Sequence, residues 1–363
     1  MLQHVAPAAR PQRRMAAAPV GGKSVNKLAY IVKFGTLDER RPAATDSPVV
    51  NSTRVRDGST VITLGNSLIG LELWPERGAK VSSIIDHRTG RNWLSVTDRP
   101  WGDATAPRWE DSDRAGWDEC LPNIAEGVHT TTQVELPDHG EVWRRPWTHD
   151  FLASGIRTRI QGVALSYELT RDILLSNETL LITYRLANLK DEELDIVWAM
   201  HLLADIKPSA VQLADDTPVR VDSTFGACGG VVAGQGWTSW SDLVAQLAKA
   251  QTGWACKIFT RPGGVTSVDG ADEKGRLTIS IGEHPAPLTF GLWLNAGGWP
   301  SHEPLHHVGI EAGFGDHDDL SRARESNSTL RVQPMQTATW SVSLQLSSPP
   351  PLVRTSQAGR GGA

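Results

Sequence analysis

The 363-residue chain is poor in cysteine, tyrosine and phenylalanine, with 3, 3 and 6 of each. Its cysteines, Cys120, Cys228 and Cys256, are too far apart for a CxxC metal pair and too few for a disulfide framework. A reducing, cytoplasmic setting is the expectation. No apolar run approaches the ~18 residues that cross a bilayer, so no membrane partner is expected. There is no P-loop, no GxGxxG fingerprint and no GxSxG elbow, so nothing signals nucleotide or acyl-enzyme chemistry. A net charge of −5 and a pI near 6.1 give no electrostatic reason to expect nucleic acid. Acids are missing from the first 37 residues, where Arg10, Arg13 and Arg14 stand without an apolar h-region. Residues 1–30 read as a disordered extension, and the proline- and glycine-rich end, residues 348–363, as a disordered tail.

What the chain does have is tryptophan, 14 residues, with 34 glycines and 22 prolines. An indole offers a broad apolar face and one donor, which suits the C–H face of a sugar ring, although large aromatics also fill cores. From about Thr60 the dominant period is two: Leu180, Ile182, Tyr184 and Leu186 alternate with Thr179, Thr183 and Arg185. Val163, Leu165, Tyr167 and Leu169 repeat it, with the polar turn Leu175-Ser176-Asn177-Glu178 between the two runs. Further strands are expected at 61–64, 68–74, 80–85, 194–203, 277–281, 288–294 and 339–346. Only 241–251 reads as a helix, capped by a serine. Many short strands with little helix predict an all-β sandwich, one domain over residues 31–347.

Two segments break the alternation and read as long irregular loops, where binding groups usually sit. Residues 98–152 contain Trp101, Trp109, Trp117, Trp143 and Trp147, and residues 295–319 are rich in glycine and histidine. His302, His306, His307, Asp316, His317 and Asp318 crowd the second, yet none makes the HExxH spacing, and no metal is expected.

Several ordered pieces resemble the aldose 1-epimerase, or galactose mutarotase-like, superfamily. Leu73-Trp74-Pro75-Glu76-Arg77-Gly78-Ala79-Lys80-Val81, followed by Asp86 and Thr89-Gly90-Arg91, is similar to its opening strands. His139-Gly140 resembles the first active-site histidine. Asn188 and then Trp198-Ala199-Met200-His201 resemble the strand ending in the second, and Gly309-Ile310-Glu311-Ala312 the segment carrying the catalytic glutamate. The resemblance spans roughly residues 60–346. It implies a galactose mutarotase-like supersandwich that interconverts the anomers of a hexose or related sugar without a cofactor, as a monomer or homodimer.

It also implies roles. Glu311 would take the proton from the C1 hydroxyl, His201 would protonate the ring oxygen, and His139 would support them; one base and one acid must flank the anomeric centre. Arg77, Asp118, Glu119 and Trp299 are further substrate-binding candidates. Asp118 and Glu119 are adjacent on one strand and face opposite ways, so one of the two would reach the sugar. Ala312 and Leu202 stand where many members have proline. The sugar-binding aspartate has four candidates in Asp205, Asp215, Asp216 and Asp222. A non-catalytic sugar binder of the same fold is the alternative reading. A hydrolase would need a carboxylate pair set across a glycosidic bond.

Overall fold

The computed structural model describes residues 49–97 and 108–348. Trp101, the expected N-terminal extension (residues 1–30) and, apart from Ser348, the expected tail lie outside the described residues. Two large antiparallel sheets carry the fold. The larger has 12 strands and runs from Val50–Arg56 through Ser59–Gly65, Ile69–Trp74, Lys80–Asp86, Trp117–Cys120, Trp198–Ala204, His306–Phe314, Thr289–Ala296 and Trp254–Thr260 to Pro218–Phe225 and Thr238–Ser239, with Arg91–Asn92 paired to one side. The smaller has 8 strands, with Thr337–Ser347, Thr179–Asn188 and Tyr167–Ser176 at its middle.

The sheets pack face to face through one apolar core that joins Leu71, Trp198 and Ile310 of the larger to Leu169, Tyr184 and Leu344 of the smaller. Tyr184 and Trp198 meet across it with ring centroids 4.6 Å apart. A buried charge pair also crosses the layer: Arg171 Nη1 donates to Glu119 Oε1 at 2.9 Å, and Tyr184 Oη donates to the same oxygen at 2.9 Å. Fully buried, such a pair persists only where its hydrogen bonds are met. Indole Nε1 groups of Trp117 and Trp198 add two more donors to the Glu119 carboxylate at 3.1 and 2.9 Å.

The smaller sheet keeps the alternation expected of it, since one face meets the core and the other meets water. Central strands of the larger sheet do not. Trp198–Ala204 and Trp254–Thr260 are buried at every residue, because loops cover their outer face as the smaller sheet covers their inner one. That double burial corrects the reading of 295–319 as irregular, for residues 306–314 form a central strand. Its glycines are spacers within a sheet. A Cβ on Gly313 would lie 2.4 Å from the Trp198 carbonyl oxygen, and one on Gly309 would lie 2.8 Å from Glu311 Oε1.

Smaller departures have local causes. The strand expected at 194–203 breaks at Val197, whose N–H donates to the Pro122 carbonyl at 2.9 Å, leaving Leu194–Ile196 to pair with Leu330–Val332. The helix is Trp240–Leu247 and its cap is Ser239, which accepts from Asp242 N. A second helix, Leu320–Glu325, capped by Asp319, was not foreseen. No helix of the described residues is long and apolar enough to cross a membrane.

Candidate active site

The site begins as a row across the larger sheet. The registers Ala199↔Gly313 and Leu202↔Ile310 set His201 opposite Glu311, and the neighbouring strand sets Asp118 opposite His201. Cross-strand partners share a face, so Asp118, His201 and Glu311 all project to the outer side, away from Glu119. On the next strand the partner of Glu311 is Gly291. Without a side chain there, Lys257 reaches over from the strand beyond, and its Nζ donates to Glu311 Oε2 at 2.5 Å. The other carboxylate oxygen, Oε1, has no hydrogen-bond partner and lies 4.0 Å from His201 Nε2.

Loops supply the wall. His139 sits in the left-handed region at φ 56°, and its Nδ1 bonds Asp138 Oδ1 at 2.8 Å. The next residue must be glycine: at φ 72°, a Cβ on Gly140 would lie 2.2 Å from the Leu121 carbonyl oxygen. Trp109 stacks on His139 with centroids 4.9 Å apart and meets His201 edge-on at 4.8 Å. Its own position is fixed twice, by its backbone N–H on Asp138 Oδ2 at 2.9 Å and by its indole N–H on Asp118 Oδ2 at 3.1 Å. Trp299 lies parallel to Trp109 at 6.5 Å.

Together these groups enclose a cavity of about 240 Å³ lined by His139, His201, Glu311, Trp109, Trp299 and Lys257, with Asp318 and His307 also facing it. Burial, then the nearby cations, hold the His201 imidazole well below its usual range, so it is neutral at pH 7. Burial alone would lower Lys257, but Asp318 and Glu311 outweigh it and keep the ammonium charged. For Asp138, burial is outweighed by the hydrogen bonds from His139 and Trp109, which hold its carboxyl below the ordinary value. Glu311 Oε1, His201 Nδ1 and Asp318 Oδ1 are buried without a hydrogen-bond partner. Buried polar atoms are normally satisfied, and a polyol carries the hydroxyl groups to satisfy these.

The structure thus brings His139, His201, Glu311 and Trp299 to one cavity and leaves three sequence candidates off it. Arg77 lies elsewhere, its guanidinium over the Trp74 ring at 5.1 Å and its Nε donating to Ser59 Oγ at 3.2 Å. Glu119 points between the sheets and is saturated there. Asp118 lies beneath Trp109, bound by the indole and by Lys80 Nζ at 3.0 Å. The aspartates that line the cavity are Asp138 and Asp318, and none of Asp205, Asp215, Asp216 and Asp222 does. Sequence reasoning missed Lys257 and Trp109. A lone lysine inside the apolar run Trp254-Ala255-Cys256-Lys257-Ile258-Phe259-Thr260 was the available signal, since a buried ammonium requires a carboxylate partner.

No family model and no curated protein matches the sequence. Solved structures do match. A candidate aldose 1-epimerase from Klebsiella pneumoniae superposes with a TM-score of 0.61 at 13% identity, over 84% of this chain and 85% of that one. A galactose mutarotase-like protein from Clostridium acetobutylicum gives 0.58 at 12%, over 84% and 99%. The Slr1438 protein of Synechocystis gives 0.57 at 17%, over 85% and 100%. At these identities the likeness establishes the galactose mutarotase-like fold.

Proposed function

We propose that this protein interconverts the α and β anomers of a hexose or related aldose by acid–base ring opening, with Glu311 as the base. The observation that supports it most is the pairing of His201 with Glu311 Oε1, 4.0 Å apart on adjacent strands at the floor of an indole-walled cavity. About 240 Å³ is below the ~300–1,000 Å³ of drug-sized sites and fits a single sugar ring. Glu311 Oε1 removes the C1 hydroxyl proton as His201, in the fraction of molecules where it is protonated, delivers one to the ring oxygen. The C1–ring oxygen bond breaks, the aldehyde turns about C1–C2, and the ring closes on the other face as both protons return. Proton transfer by positioned groups contributes ~10²–10⁴-fold. His139, oriented by Asp138, hydrogen-bonds the sugar beside the reacting oxygen, and Trp109 and Trp299 hold the ring faces.

One observation favours a second reading, a sugar-binding protein without turnover. Lys257 Nζ at 2.5 Å already occupies one oxygen of the Glu311 carboxylate, a buried ion pair that a purely structural or binding role also explains. Polarimetry on freshly dissolved α-D-glucose, α-D-galactose and their 6-phosphates separates the two. A rate above the spontaneous one in the same buffer supports the epimerase. Binding of a hexose with no added rate across the panel leaves the binder.

A further inference from the structure

A different ligand chemistry is built around the two histidines of this cavity. The thiol of Cys120 and one nitrogen each of His139 and His201 lie within 4.8 Å of one another. Cys120 is two residues beyond Asp118, the cross-strand partner of His201, so thiol and imidazole project from the same face of the sheet. Cys120 is a free, fully buried thiol. His201 is buried too, and its Nδ1 has no hydrogen-bond partner. His139 already has the support that metal-bound imidazoles have, a carboxylate on the opposite nitrogen: Asp138 Oδ1 holds Nδ1 at 2.8 Å. The histidine-rich loop offers no such convergence, for His302 and His306 are exposed and His317 is paired with Asp316 at 2.9 Å.

We propose that Cys120, His139 and His201 form a site for one thiophilic divalent cation of the zinc class, which occupies the cavity in competition with the sugar. One sulfur and two imidazole nitrogens are a donor set for zinc and its neighbours, and a poor one for magnesium or calcium. A cation centred among donors no more than 4.8 Å apart sits about 2.8 Å from each. Bonds of ~2.0–2.3 Å then require each donor to close by roughly 0.5–0.8 Å; His139 rides on a loop, while Cys120 and His201 stand on neighbouring strands. A solvent molecule completes four-coordination, as in open zinc sites. Coordination replaces the thiol proton, which leaves to solvent, so affinity rises with pH. Because the cation takes both imidazoles, the loaded protein has no free acid for a sugar; this last consequence rests on the proposed epimerase reading, the site itself does not.

Titration of the full-length protein with cobalt(II), followed by absorption, tests it. One equivalent is expected to produce a sulfur-to-cobalt charge-transfer band with the intense visible bands of four-coordinate cobalt, and one equivalent of zinc should bleach both. Cys120→Ser, or Cys120→Ala if serine is not tolerated at this buried position, should lose the charge-transfer band and bind at least tenfold more weakly. Cys228→Ser and Cys256→Ser should keep both. An absent band, or one that survives loss of Cys120, overturns the site. Zinc should also abolish wild-type mutarotation, while Cys120→Ser should need at least tenfold more zinc for the same fractional loss, each protein being scored against its own metal-free rate. If the bands appear as described but the protein has no mutarotase activity, the epimerase reading alone fails.

Discussion

Lys257 and Glu311, from strands that do not touch each other, form a buried ion pair over Gly291 of the strand between them. A Cβ on Gly291 would lie 3.3 Å from Glu311 Oε2 and 3.3 Å from Lys257 Nζ, so the pair occupies the space a side chain would fill. Gly291→Ala asks for an adjustment of a few tenths of an ångström. Gly291→Val drives a wedge between the charges, and should cost several kcal/mol of stability, on the ~3–5 kcal/mol scale of a broken buried pair. Urea denaturation of the two variants checks the contrast; equal stability would show that the pair does not depend on this glycine.

Lys257→Met leaves Glu311 buried without its cation. An unpaired buried carboxylate is costly, so the protein should lose roughly 3 kcal/mol or more in urea denaturation. If Glu311 is the base, turnover in mutarotation should fall as well, because the carboxylate has lost the contact that holds it in place. Lost stability with unchanged turnover would separate Glu311 from the proton transfer.

Glu311→Gln preserves size and hydrogen bonding while removing the carboxylate proposed as the base. Turnover should fall by about 10²-fold or more with sugar affinity nearly unchanged, since the lost interaction acts in the transition state. Progress curves by polarimetry and calorimetric binding, taken together, decide it. A loss confined to affinity would point to a binding role.

His201, held well below its usual value by burial, is protonated only in acid. If it is the acid, kcat should fall as pH rises above that lowered value, placing the optimum below pH 6.5, and His201→Asn should flatten the limb. An optimum above neutrality with an unaltered limb in the variant would assign the proton to another group.

His307 is buried with its value lowered from 6.5 to about 4 by burial first and then by His306 and Arg114. In the unfolded chain it takes up a proton near pH 6.5, and in the folded protein not until about pH 4. Stability present above pH 6.5 is therefore lost as pH falls through this window, by roughly 3 kcal/mol from this residue. His307→Gln cannot titrate, so the wild-type advantage over it should shrink by that amount between pH 7 and pH 4 in chemical denaturation. A pH-independent difference would contradict the shift.

The smaller sheet was legible because strands wet on one side alternate; Thr179–Asn188 shows it residue by residue. The centre of the larger sheet was not, because burial on both faces erases the period. Glu311 therefore looked like a loop residue among glycines, when Gly309 and Gly291 are bare so that its carboxylate fits. Which face Asp118 and Glu119 took was set by long-range partners, Lys80 on one side and Arg171 on the other, and no local pattern carries that. His139, His201 and Glu311 were singled out from motif resemblance, and their meeting depends on a strand register that spacing does not encode.

The two halves of the cavity belong to different parts of the fold. His201, Glu311 and Lys257 stand on the innermost strands, whose amides open only when most of the sheet does, whereas His139, Trp109 and Trp299 ride on connecting segments. In native-state hydrogen exchange the floor should therefore rank with the slowest amides and the wall with the faster ones. If the wall opens to a ligand, the spacing between the floor's charges stays the same from one opening to the next.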